Sequence, residues 1–334
     1  MSEFMLIDGS LMAYRYYEAM PDLSNSSGTP TNVEYGMLRG LESLERKYPD
    51  AQLVLVWDSP KAKSEKQKID PLYKANRSPG GKRGLWSRLE RLKERVIRHR
   101  WANAKLDGIE ADEVMYSIAR HLAPAYPHET NIPSKNLVLL YTNDEDLLQT
   151  ITDNIIVLKS HQSKIFEWDG EKVVEKFGVH PHQLPLLRAA LGDKSDNLPG
   201  CGCLGRPKLA QAVREAFKVA FESRQVSAGP ADLVKNIAEN HVTWFGPKTR
   251  VKWDGFVASG QLHRNFELMQ IRLNPDVETE REFYRSNHVR KVTMLWVEPT
   301  LEVEPVAEAL AEWEIKSLRM CKEVFAKAED DEEF

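Results

Sequence analysis

The residues of this sequence best suited to chemistry are carboxylates. Asp8, Asp58 and Asp144 each close a short apolar run, FMLID, LVLVWD and LVLLYTND. Glu110, Asp112 and Glu113 lie in IEADE, directly before an apolar-periodic stretch that begins at Val114. Asp146 follows Asp144 in TNDEDLL, and Asp193 and Asp196 are spaced in GDKSDN to share one face of a helical turn. Taken singly, each group has an ordinary explanation. Acids in the first turn of a helix cap backbone donors and favour the positive end of its dipole, and the GDKSDN pair reads equally as a turn and a cap.

Together the acids say more, because strand-end and helix-start acids of one sheet can converge on one crevice. Two unit charges about 4 Å apart repel by about 4 kcal/mol at an effective dielectric of 20, so such a gathering requires protonation or bound cations. Oxygen donors without accompanying His or Cys favour Mg²⁺, with Mn²⁺ as its substitute, over zinc. Two such ions about 4 Å apart activate water and neutralise charge on a phosphoryl group and its leaving oxygen. That is the chemistry of phosphodiester hydrolysis.

The elements that must position these acids follow from the pattern. The runs Phe4–Asp8, Leu53–Asp58 and Leu137–Asp144 read as strands, with shorter ones at Ile155–Leu158 and Lys164–Trp168. Between them lie helical patterns at Asn32–Lys47, at Leu85, Leu89, Leu92 and Val96, and at Val114, Ile118 and Leu122. Strands alternating with helices predict an α/β fold, a mostly parallel central sheet with flanking helices, and loops at the carboxyl ends of its strands collect the chemistry. From Glu171 to about Glu222 the pattern turns mainly helical, interrupted by the glycine-rich Gly200–Gly205. Beyond Ser223, Phe266–Leu273 reads as helix and Val292–Val297 as strand. No internal repeat is visible.

Charge and composition narrow the partners. The chain has 334 residues, 42% hydrophobic, with a formal net charge of −4. That average hides residues 61–105, which carry 15 Lys/Arg against 4 Asp/Glu. A block of this kind is a solvated helical face or a phosphate-binding surface. Pro79, Gly80, Gly81 and Gly84 make its first part a loop and its second an amphipathic helix. No apolar run approaches the roughly 20 residues that span a bilayer, so the chain is expected in the cytoplasm, without a membrane partner. Cys201, Cys203 and Cys321 show neither zinc nor redox spacing and read as reduced thiols.

Six motifs in order, LIDGS, VLVWD, YKANR, GIEADE, TNDEDLLQ and GDKSDNLPG, resemble those of the flap endonuclease or 5′-3′ exonuclease family, which includes stand-alone bacteriophage 5′ nucleases and the nuclease domain of bacterial family A DNA polymerases. The resemblance covers most of residues 4–205. It implies a PIN-like, resolvase-like nuclease core over 1–178, with a helical arch at about 73–100. A helix–three-turn–helix duplex-binding region would occupy 179–222, and a C-terminal extension packing on the core would occupy 223–328. The acidic tail 329–334 is a run of like charges.

The same resemblance assigns Asp8, Asp58, Glu110, Asp112 and Asp144 to a first metal region, and Asp146, Asp193 and Asp196 to a second, with Asp144 shared. Glu113 stands where the family usually has aspartate, and its longer side chain would act through water. Lys74 and Arg77 match the basic pair that reaches the scissile phosphate, and Tyr73 offers a face for an unpaired terminal base, against the alternative of an ordinary buried tyrosine. Lys82, Arg83, Arg88, Arg91 and Arg95 would line the arch. Gly200, Gly202, Gly205 and Lys208 would grip duplex phosphates and bind K⁺, although Cys203 replaces a usual glycine and the hairpin is one residue longer.

The implied activity is cleavage of DNA bearing 5′ flaps, nicks or free 5′ ends, leaving 5′-phosphate. The chain would be a monomer, meeting replication proteins, in a host cytoplasm if phage-encoded. Two other readings remain: a catalytically inactive relative that binds branched DNA, and a ribonuclease with the same core. A phosphatase with an aspartyl nucleophile is disfavoured, because Ser10 stands where that motif needs a second acid.

Overall fold

The computed structural model describes residues 3–76, 84–123, 136–162, 164–222, 246–273 and 303–315. Strands β1 (Glu3–Asp8), β2 (Ala51–Val56), β3 (Ala102–Ala104), β4 (Leu137–Tyr141), β5 (Ile155–His161) and β6 (Lys164–Trp168) form one six-stranded sheet in the order β3-β2-β1-β4-β5-β6. All neighbouring pairs are parallel except β5 with β6. β1 is flanked by β2 on one side and β4 on the other, so chain progression reverses there, and the crevice beyond the ends of β1 and β4 is the topological switch point of an open α/β sheet.

Alternation along the strands builds two cores. Leu6, Val54, Val56, Val138, Leu140 and Val157 face one side, against α5 (Ala111–Leu122). Met5, Ile7, Leu53, Leu55, Leu139 and Leu158 face the other, against α2 (Asn32–Lys47) and α4 (Leu85–Leu92). α1 (Gly9–Ala19) starts directly from β1, and the short α3 (Ala62–Lys66) follows β2. α4 runs on through a π-helical turn at Lys93–Ile97, which lets Val96 and Ile97 both enter the core with Leu85, Leu89 and Leu92.

Among the described residues after β6 the elements are helical: α6 (Gly170–Phe177), α7 (Leu184–Leu191), α8 (Arg206–Glu222), α9 (Pro247–Ala258), α10 (Gln261–Met269) and α11 (Val303–Glu312). Leu262, Phe266 and Met269 of α10 join the first core beside α7. Val306, Ala309 and Leu310 of α11 join the second, beside the continuation of α4. The helix expected at Phe266–Leu273 starts five residues earlier, at Gln261, and ends at Met269, because Gly260 at φ 72° supplies the turn that opens it. The strand expected at Val292–Val297 lies outside the described residues.

Candidate active site

The first acids are held at the switch point by backbone hydrogen bonds. Asp8 is the last residue of β1 and the N-cap of α1, its Oδ1 accepting from Leu11 N at 2.9 Å. The buried Thr142 hydroxyl donates to Asp8 Oδ2 at 3.3 Å and accepts from Asp144 N at 3.1 Å, and so ties the ends of β1 and β4 together. Asp58 lies two residues beyond β2; its amide donates to Ser10 Oγ at 3.1 Å, and its Oδ1 caps α5 through Ala111 N at 2.9 Å. Burial, then the charge of Asp58, and also that of Asp144, raise the Asp8 pKa to about 8.

Glu110 takes the N-cap position of α5, with Asp112 and Glu113 in its first turn. Burial works against its ionisation, but the ammonium groups of Lys66 and Lys74 outweigh that and hold its pKa down at about 2. Lys74 Nζ lies 2.8 Å from Glu110 Oε1 and 3.9 Å from Asp196 Oδ2. Burial, with the charges of Glu110, Glu113 and Asp144 adding to it, lifts Asp112 well above the ordinary carboxylate range. Burial likewise raises Glu113.

Asp146, Asp193 and Asp196 complete the group. Asp146 N donates to Asp144 Oδ1 at 2.8 Å, and burial together with the Asp144 charge lifts the Asp146 pKa to about 7. Asp193 Oδ1 accepts from Ser195 N and Oγ at 2.7 and 2.6 Å. The loop that carries Lys74 is docked on the loop that carries Asp196: Lys74 N donates to Asp196 O at 2.9 Å, Asn197 Nδ2 to Leu72 O at 2.9 Å, and Asn76 Nδ2 to Lys194 O at 3.0 Å. Lys74 adopts φ 52°, a left-handed conformation that costs a non-glycine residue on the order of 1 kcal/mol or more and is kept where surroundings over-determine it.

All the sequence-predicted carboxylates therefore belong to one electrostatically coupled group along the carboxyl edge of the sheet. Among the described residues no three of them are gathered tightly enough to enclose an ion. Lys66, Lys74 and Arg188 stand between them instead. The donor set nonetheless fits a hard divalent cation. It is all oxygen, two of its acids, Asp8 and Asp146, are pushed towards neutral pH by burial and by neighbouring carboxylates, and buried Asp146 Oδ1 accepts no hydrogen bond.

Several candidates play other parts. Tyr73 is only 2% exposed, its ring within the core and its hydroxyl 3.4 Å from both Glu110 oxygens, so it offers no face to a base. Arg88 is buried in a bidentate ion pair with Glu34 of α2 and fastens α4 rather than facing DNA. Arg95 is engaged with Glu312 and lies over Trp313. Gly200 is required by packing, since a Cβ there would meet Leu191 O at 1.9 Å, whereas Gly202, at φ 60°, has open space beside it. Gly205 and Lys208 are exposed around the start of α8, and Arg91 is exposed on α4. Arg77, Lys82 and Arg83 lie outside the described residues.

Other site residues carry little sequence signal. Thr142 and Lys66 are polar residues among many. Arg188 is findable as the sole charge in the otherwise apolar helix LPLLRAAL, five residues before Asp193. Exposed Trp86, 51% accessible at the start of α4, is a large apolar surface that a count of basic residues overlooks.

Residues 3–178 match the family described as 5′-3′ exonuclease, N-terminal resolvase-like domain. The chain belongs to the 5′-3′ exonuclease family. Within that family it is 37% identical over 282 residues to a 5′-3′ exonuclease of Aquifex aeolicus, covering 84% of this chain and 86% of that protein. It is 32% identical over 280 residues to the thermostable DNA polymerase I of Thermus aquaticus, covering 84% of this chain but only 31% of the polymerase. It spans 66% of a 5′-3′ exonuclease of Buchnera aphidicola and 21% of the Pseudomonas aeruginosa DNA polymerase I. The fold is also that of the bacteriophage T5 D15 protein co-crystallised with metal ions, with a TM-score of 0.58 at 18% identity over 83% of this chain and 90% of that one. A variant of the T5 D15 flap endonuclease, in a pseudo-enzyme-product complex with DNA and metal ions, gives 0.55 at 18% identity over 98% of this chain and 99% of that one.

Proposed function

We propose that this 5′-3′ exonuclease family member is a structure-specific 5′ nuclease, acting as flap endonuclease and 5′-3′ exonuclease and hydrolysing DNA phosphodiesters near single-strand/duplex junctions. The observation that carries this is the coupled acid group at the switch point, with the Lys74 ammonium held against it by Glu110 and Asp196. Asp8, Asp58, Glu110, Asp112 and Asp144 would hold one divalent ion, and Asp146, Asp193 and Asp196, with Asp144, a second; Glu113 would act through water. Such ions, Mg²⁺ or in its place Mn²⁺, supply activation of water and neutralisation of the charge that accumulates on phosphorus oxygens.

The chain's own residues do the rest. Lys74 would exchange Glu110 for a phosphate oxygen and stabilise negative charge as it grows, with Arg77 beside it. Departure of the 3′ oxygen would leave 5′-phosphate. Duplex would be gripped by the 192–205 loop in a helix–three-turn–helix arrangement of α7 and α8. Asn265 fixes this loop by donating to Ala189 O at 2.9 Å and to Pro199 O at 2.8 Å, while open space at Gly202 admits close approach by a phosphate. K⁺ would be held by carbonyls of the 200–208 hairpin. Arg91, Lys82 and Arg83 would guide the single strand, and Lys208 the duplex. The protein would work as a monomer in the cytoplasm, alongside replication proteins.

A magnesium titration on a 5′-labelled flap tests this reading. Metal-dependent release of a short labelled fragment is expected. A shift of the substrate without cutting would identify a branched-DNA-binding relative instead, and preference for an RNA flap on an RNA duplex would identify a ribonuclease.

A further inference from the structure

The geometry points to Arg188 as a resident cation within the second acid group, one that sets how tightly this group takes a divalent ion; the inference rests on the nuclease reading above. Arg188 sits in the last turn of α7, whose other residues are uncharged. Its side chain is 15% exposed and spans three carboxylates: Nη2 donates to Asp193 Oδ2 at 2.6 Å, Nε lies 2.9 Å from Asp146 Oδ1, and Nη1 lies 3.8 Å from Glu145 Oε2. A guanidinium in such company cannot shed its proton, so the charge is permanent. Burial opposes it, but the fields of Asp146 and Asp193 outweigh burial and hold the group further above its ordinary range.

The neutralisation is uneven. Asp193 is fully served, by Ser195 and by Arg188. Asp146 Oδ1 faces Nε closely but accepts no hydrogen bond, which leaves one buried oxygen with Coulomb attraction and no donor. The first group differs in kind. Among the described residues Asp8, Asp58 and Asp144 make no salt bridge, and only Glu110 of their group is paired, with Lys66 and Lys74. The first group thus keeps three carboxylates without a salt bridge for an added cation, whereas in the second Asp146 and Asp193 are both held by Arg188. Two consequences follow from charge alone: divalent ions should fill the groups in sequence, the first tightly and the second weakly, and removing the Arg188 charge should tighten the second step.

Manganese binding to the whole protein, without DNA, reads this directly by electron paramagnetic resonance of free Mn²⁺. The wild type should show two separated classes. Arg188→Met and Arg188→Gln, the latter keeping an amide donor for Asp193, should tighten the weaker class at least about tenfold and leave the tighter one unchanged, while Arg188→Lys stays near wild type. Circular dichroism checks that each variant is folded. Two equally tight classes in the wild type overturn the inference without any variant. So does an unchanged or weakened second class in folded Arg188→Gln, and in that case the nuclease reading survives. Absence of any Mn²⁺ uptake by the wild type defeats the metal reading itself, and the inference with it.

Discussion

Asp58 Oδ1 accepts the amide hydrogen of Ala111 at 2.9 Å, so the acid beyond β2 caps the helix that delivers Glu110, Asp112 and Glu113. One carboxylate therefore serves both fold and site. The same group that brings the helix-start acids to the strand-end acids adds to the negative charge that a cation must then offset.

Substitutions at Asp58 separate these two parts. Asp58→Asn keeps an acceptor for Ala111 N and removes the charge, so cleavage should fall by more than about 100-fold with little loss of stability. Asp58→Ala should lose cleavage equally and cost about 1 kcal/mol more in urea unfolding, the usual value of a cap. Equal stability of the two variants would show that the cap does not matter.

Helix α4 is anchored, not only charged. Breaking the buried Arg88–Glu34 pair from one side, by Glu34→Gln, strands a guanidinium in the core and should cost about 3–5 kcal/mol. Exposed Arg91 makes the contrast: Arg91→Ala should leave the melting temperature nearly unchanged and weaken flap binding, with a shallower salt dependence measured by fluorescence anisotropy.

Two glycines of the 192–205 loop should behave differently. An alanine Cβ at Gly200 would meet Leu191 O at 1.9 Å, a backbone contact that cannot yield, and Gly200→Ala is expected to give little folded protein. Gly202 has open space but φ 60°, so Gly202→Ala should fold with a loss of about 1 kcal/mol and bind nicked duplex more weakly. Thermal melting and binding assays together distinguish the cases.

Metal and pH should be linked with a definite sign. Asp8 and Asp146, raised to about 8 and about 7, bind protons in the folded chain that the unfolded chain has released above about pH 4. In chelator, the stability they contribute is full below about pH 4 and is lost as pH rises through 7 to 8. Glu110, held at about 2, acts oppositely and only at acid pH: its contribution stands above about pH 4.3 and is lost as pH falls through 2. Because Mg²⁺ competes with those protons, its effect on the melting temperature should be larger at about pH 8.5 than at about pH 5.5. A Mg²⁺ effect independent of pH would contradict the coupling.

Much of the site was legible because strand-end acids are fixed by the sheet: once LIDGS, VLVWD and TNDEDLL read as strand ends, Asp8, Asp58 and Asp144 had to share an edge. The helix at Asn32–Lys47 was legible to its termini from its apolar period. What failed is orientation about an axis. Arg88 lies one position from Leu89 and three from Leu85, on the buried side, and only Glu34, distant in sequence, makes burial of that charge tolerable. Tyr73 is hidden because its partner Glu110 comes from another segment. Among the described residues no helix is long and apolar enough to cross a membrane.

The central claim, a carboxylate crevice that becomes tolerable by taking divalent cations, is tested most directly by crystals grown with MnCl₂ and measured at the manganese absorption edge. Anomalous peaks in contact with Asp8 or Asp144 oxygens are expected, and they should vanish in Asp144→Asn. Manganese bound only elsewhere on the protein, or unaffected by that substitution, would contradict the account.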